Sequence, residues 1–117
     1  MIKSIKTFLD NATELNLATK KTYKKPTGNT QPTTYIYFIS SWGKVRIKTG
    51  YRQRFSFYVV SDNMDNIETL SNNLETLLVG NGYAINTKLW KILQNGERDF
   101  EDEMIRVIDY TFYYKFA

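Results

Sequence analysis

Two clusters of ionisable side chains are dense enough to do chemistry. The first is acidic: Glu97, Asp99, Glu101, Asp102 and Glu103 put five carboxylates within seven positions. Carboxylates at that density attract hard divalent cations, but the run contains neither the Asp-x-Asp-x-Asp-Gly pattern of a calcium loop nor its closing bidentate glutamate. It reads instead as a solvated, flexible hairpin loop suited to meeting a basic partner. The second cluster is basic: Lys20, Lys21, Lys24 and Lys25 place four cations within six positions, with Tyr23 among them. Such a cluster can follow a phosphate backbone or line a lumen through which DNA passes, and it can equally face an acidic protein surface. No zinc-finger spacing, RNP signature or helix-turn-helix pattern accompanies it, so sequence-specific reading of bases is not expected.

Catalysis has little to work with. The chain contains no histidine and no cysteine, which removes the commonest general base, the thiolate nucleophile and the usual zinc ligands. No nucleophile elbow, phosphate-binding loop or dinucleotide fingerprint occurs. Gly80-Asn81-Gly82 follows a helical segment instead of preceding one, so it is a helix stop and not a phosphate cradle. The expectation is a protein that is not an enzyme, has no catalytic residues and binds no cofactor or metal.

Several elements must position the two clusters. Ile2, Ile5, Leu9 and Ala12 recur at helical spacing with Phe8 and Leu15 alongside, which predicts an amphipathic helix over about 2–16. Residues of about 17–33 are polar, basic and broken by Pro26, Gly28 and Pro32, and read as a long loop or arm. Tyr35-Ile36-Tyr37-Phe38-Ile39 predicts a buried strand, Ser41-Trp42-Gly43 a turn, and Lys44-Val45-Arg46-Ile47-Lys48 a second strand with one wet face. From Arg52 to Val60 the alternation of Phe55, Phe57 and Val59 with Arg54, Ser56 and Tyr58 predicts the central strand. A second helix opens at Asp62–Asn66 and carries Ile67, Leu70, Leu74, Leu77 and Leu78 on one face. A strand near Lys88–Leu93, a turn at Gln94-Asn95-Gly96 and a last strand over Met104–Phe116 complete the order. The last strand aligns Ile108, Tyr110, Phe112, Tyr114 and Phe116.

These elements predict one α+β domain over residues 1–117: a single antiparallel or mixed sheet with two helices on one face, in the order α-β-β(-β)-α-β-β. At 117 residues one core is expected, and 42% hydrophobic content is enough to fill it. Both faces of the final strand carry rings, more than a sheet covered on one side can bury, and that surplus predicts a protein interface. Charge is polarised along the chain. Residues 1–61 hold eleven bases against two acids, a net +9, and residues 62–117 are net −5. Such a chain suits head-to-tail contact between copies, or a polyanion on one side. No secretory leader and no apolar run of membrane-spanning length is present, so synthesis in the cytoplasm without membrane association is expected.

The amphipathic first helix, Thr34-Tyr35-Ile36-Tyr37-Phe38, the Arg52–Val60 strand, the Ile67–Leu78 helix and the closing aromatic strand together resemble the tail-terminator, or tail-completion, proteins of long-tailed bacteriophages. The resemblance covers nearly the whole chain and rests on order and texture. It implies a virion structural subunit that closes into a hexameric ring on the tail tube, stops tube polymerisation and offers the head-docking surface. The implied partners are other copies of the chain, the tail tube protein, the head-tail connector protein, and DNA passing through the lumen without sequence-specific binding. The implied location is the head-proximal end of the tail in the virion, after synthesis in the host cytoplasm. The neighbouring alternative is a head-closure or connector neck protein. The alternative of a different class is a single-stranded nucleic-acid-binding module, which would use the lysines and exposed strand aromatics.

Overall fold

The computed structural model describes residues 1–27, 33–100 and 104–116. Alternation along the strands dictates the architecture: every second residue of the central strands is a ring or a branched aliphatic, and those residues need a cover. Helix α1 (Ile2–Asn11) is followed by a 3₁₀ turn (Thr13–Leu15), strands β1 (Lys20–Tyr23), β2 (Tyr35–Ile47) and β3 (Gly50–Val60), and helix α2 (Met64–Leu78). A short helix α3 (Gly82–Ile85) precedes strands β4 (Leu89–Phe100) and β5 (Ile105–Lys115). The five strands form one mixed sheet in the order β1-β2-β3-β5-β4, parallel only between β1 and β2. The α+β class and the single sheet agree with the reading of the sequence, and β3 is central.

One side of the sheet is dry. Ile36 and Phe38 of β2, Phe55, Phe57 and Val59 of β3, and Ile108, Tyr110 and Phe112 of β5 meet Ile5 and Leu9 of α1 and Ile67, Leu70, Leu74 and Leu78 of α2. Their rings interlock: Phe38 stacks on Phe57 at 5.4 Å, and Tyr110 meets Phe57 edge-on at 5.5 Å between centroids. Helix α2 starts where expected because the Asn63 side chain accepts a hydrogen bond from the Asp65 amide at 2.8 Å. It stops at Gly80, whose φ of +84° is reached without a Cβ penalty.

Six local expectations are corrected. Helix α1 ends at Asn11, not Asn16, because Ala12 turns extended and the 3₁₀ turn then drives Leu15 and Ala18 into the core. The segment 17–33 is not all loop: Lys20–Tyr23 pairs with Tyr35–Phe38, and the Tyr23 ring packs edge-on against Phe38 at 5.3 Å. Ser41-Trp42-Gly43 is no turn. Irregularities between Ser40, Trp42 and Val45 let β2 continue as one bulged strand. Gln94-Asn95-Gly96 is likewise a bulge inside β4, with the Asn95 side chain bonded to the Thr111 hydroxyl. Glu97–Phe100 therefore belong to a strand and not to a flexible loop. Phe116 lies past the end of β5, 39% exposed, against Tyr51.

Leu74 is fully buried between α2 and the sheet. Leu74→Asp puts a charge without a partner into an apolar site and should destabilise the fold by about 3–5 kcal/mol. Chemical denaturation read by far-ultraviolet circular dichroism checks it, and an unchanged midpoint would show that α2 packs by a different face.

Candidate functional site

The basic cluster and the described acids Glu97 and Asp99 end up on opposite borders of the sheet. Lys20 and Lys21 belong to β1, one outermost strand, and Lys24 and Lys25 follow it directly, both exposed. Lys24 takes a positive φ of 66°, its amide donates to the Phe38 carbonyl at 2.8 Å, and Thr22 Oγ1 donates to its carbonyl at 2.9 Å. The basic run is thus held as an edge, not as a free arm. Glu97 and Asp99 belong to β4, the other outermost strand, while Glu101, Asp102 and Glu103 lie outside the described residues. Among the described residues no ion pair joins these lysines to Glu97 or Asp99.

Register places the two borders at the same height. Lys20 pairs with Tyr35, which pairs with Val60, then Ile105, then Phe100. Tyr23 leads by the same path through Phe38, Phe57 and Ile108 to Glu97. Counting strand directions across the sheet, β1 and β4 run antiparallel to one another. Each has one side with no strand neighbour among the described residues, and hence a row of backbone donors and acceptors open to pairing.

The acidic border is organised by one buried cation. Arg106, 8% exposed, donates from Nε to Asp99 Oδ1 at 2.7 Å and from Nη2 to Glu68 Oε1 at 2.7 Å. These bonds hold the Asp99 and Glu68 carboxyls below the usual carboxylate range, and the two carboxylates raise the pKa of Arg106 further. On the opposite face of the sheet Asp109 accepts from Ser56 Oγ at 2.5 Å and from Arg98 Nη1 at 2.8 Å. Glu97 forms no ion pair among the described residues. Among those residues no group of three or more acids is arranged to hold a metal ion.

A second surface was missed by the reading of the sequence. On the face turned away from the helices, a cleft of about 280 Å³ is lined by Trp42, Arg52, Arg54, Asn95, Thr111 and Tyr113, together with Gly43, Val45 and Gln53. The Arg54 guanidinium sits 5.6 Å from the Trp42 ring centroid, and Lys91 Nζ lies within 6 Å of both the Trp90 and Tyr113 rings. The signal was present: bases at 44, 46, 48, 52 and 54 with a tryptophan at 42, and no acid anywhere between Glu14 and Asp62. Division of that stretch into separate strands hid it, because only the pairing of Trp42 with Arg54 across a bulge brings ring and cation together.

No protein-family model and no curated protein matches the chain. Among the described residues no helix is long and apolar enough to cross a membrane.

The Arg106 cluster predicts an acid-sensitive fold. Both carboxylates have folded-state pKa values below their unfolded values, so their contribution is complete above an unfolded pKa of about 4 and is lost as pH falls through the lower folded values. Wild-type stability should therefore drop more steeply below about pH 4 than that of Arg106→Met. Urea midpoints measured from pH 6 to pH 2 check this, and parallel curves for the two proteins would assign the acid sensitivity elsewhere.

Proposed function

We propose that the chain is the ring-forming subunit that caps the tail tube of a long-tailed bacteriophage, with copies joined edge to edge through β1 and β4. One observation carries the reading: the two open borders of the sheet lie at equal height, run in opposite directions and differ in charge. Lys20, Lys21, Lys24 and Lys25 follow one border. Glu97 and Asp99 occupy the other, and the sequence adds Glu101, Asp102 and Glu103 directly after it. A β1 border set against the β4 border of a second copy forms an antiparallel pair, with lysines brought alongside carboxylates. Such a contact is heterologous, since each copy offers a different patch to each neighbour, and it closes into a ring when the rotation per copy divides a full turn.

The resemblance of the sequence to tail terminators supplies the setting: a hexameric ring at the head-proximal end of the tail, between the tube protein and the connector. The mechanism is steric. A ring that matches the tube on one side and has no free strand edge left to template another tube ring ends polymerisation. DNA passes through the lumen without being read, and no cofactor takes part. A neck connector is the neighbouring alternative, separated by where in the particle the ring sits.

Exposed ion pairs contribute about 0.2–1 kcal/mol each, so several per interface, repeated around a ring, control assembly without making it irreversible. Replacing Lys20, Lys21, Lys24 and Lys25 by Ser should raise the concentration for half-assembly about tenfold or more, as added salt does for wild type. Sedimentation velocity and negative-stain images of capped tubes provide the readout. A wild-type chain that stays monomeric and has no affinity for tubes would remove the proposal. Particles that assemble normally from the variant but eject DNA abnormally would assign the lysines to the lumen.

A further inference from the structure

The cleft lies on the open face of the sheet, reaching β4 only through residues before Glu97, and its chemistry differs from that of the charged borders. Trp42 is 63% exposed, an unusual condition for the largest apolar side chain, and its ring is flanked by a guanidinium instead of by core. The same row continues across the sheet. Trp42 on β2 pairs with Arg54 on β3, which pairs with Thr111 on β5. One step along, Arg52 pairs with Tyr113, which pairs with Lys91 on β4. The Trp90 ring closes the row 5.7 Å from that of Tyr113. Three rings and three cations thus span four strands, roughly 14 Å at the usual strand spacing. No carboxylate lines the cleft, and among the described residues Arg52, Arg54 and Lys91 form no ion pair.

We infer that this face binds single-stranded nucleic acid, with two or three bases laid against Trp42, Tyr113 and Trp90 and the phosphates held by Arg52, Arg54 and Lys91. Charge complementarity calls for a polyanion, and the accessible ring faces narrow the choice to one that brings flat π-surfaces with it. An acidic protein segment would satisfy the cations and leave Trp42 and Trp90 without a role. A duplex would offer phosphates while its bases stay stacked on each other. A four-stranded sheet whose surface rings stack two or three bases is an established solution to this recognition problem, and the cations make it salt-dependent. Thr111 and Asn95 already bond each other at the cleft wall, so contacts to base edges are few and little sequence preference is expected. The inference does not rest on the capping proposal, because it uses neither β1 nor the acidic residues Glu97 and Asp99 of β4.

The experiment titrates labelled oligo(dT) of about ten nucleotides into the full chain at low salt, with oligo(rU) and a duplex of equal length as parallel arms. Saturable binding of the single strands, at least about tenfold tighter than the duplex, is expected. The DNA and RNA arms then show which sugar is preferred. The chain has two tryptophans, so Trp90→Phe leaves Trp42 as the only indole, and its fluorescence should be quenched on binding. Trp42→Ala should weaken binding at least about fivefold, the lower end for loss of one stacked base, and Trp42→Phe should restore most of it. Arg52→Gln with Arg54→Gln should weaken binding and flatten the salt dependence. All of these side chains are exposed or half-exposed, and an unchanged melting temperature confirms that each variant is folded. The inference is overturned by absence of saturable binding, by equal affinity for duplex, or by binding indifferent to Trp42→Ala. It is also overturned if polyglutamate displaces the oligonucleotide at equal charge concentration, which would assign the cleft to an acidic protein partner.

Discussion

Everything in this protein depends on the aromatic layer between the sheet and α2. Phe38, Phe55, Phe57, Tyr110 and Phe112 are all fully buried there, each contributing on the order of 1.5–3 kcal/mol by leaving water. Their second effect is register. A slip of one residue in β3 or β5 would turn every ring to the solvent side, so the pairing of Phe57 with Ile108 and of Phe55 with Tyr110 is fixed by the same burial that stabilises the fold. The layer has a cost: the Tyr110 hydroxyl is buried without a hydrogen-bond partner among the described residues, and burial pushes its ionisation well above the usual phenol range.

Fixed register has consequences at a distance. It sets Lys20–Tyr23 level with Glu97–Phe100 on the far border, although nothing links those segments directly. It also leaves β2 beyond Ser40 projecting past the cover of the helices, while β4 beyond Leu93, at the other end of the sheet, is an outermost strand; the side chains of both are largely exposed. The projecting half of β2, with β3 beneath it, carries the cations and Trp42. The helix-facing side of that projection is closed by rings instead of helices: Lys44 lies over Tyr51 and Tyr114, and Arg46 over Phe116. A single covered face thus leaves three kinds of surface: a basic border, an acidic border clipped by Arg106, and an open face with its cleft.

The sequence disclosed what depends on periodicity and concealed what depends on pairing. The α+β class, the central strand, α2 with its apolar face and the inward face of β5 were legible because alternation and helical spacing repeat over many residues. Lys20–Tyr23 was not, since a four-residue strand flanked by lysines has no period of its own and forms only because β2 offers it an edge. The bulges at Trp42 and at Asn95 looked like turns, because the small and polar residues that make a turn also permit a bulge. The lysines and acids stand out as clusters in the sequence, yet the relation of the lysines to Glu97 and Asp99 across the sheet required the strand order β1-β2-β3-β5-β4, which no local pattern encodes. The cleft was hidden for the same reason, its residues being contributed by four strands.

The central claim is that copies of this chain join by pairing β1 of one with β4 of the next. Amide hydrogen exchange, followed from dilute monomer to assembled ring, tests it at the atoms concerned. The account predicts that backbone amides of Lys20–Tyr23 and of Glu97–Phe100 gain protection together on assembly, while those of β3, already paired on both sides, do not change. Assembly with both borders still exchanging at the monomer rate, or with only one of them protected, would contradict it.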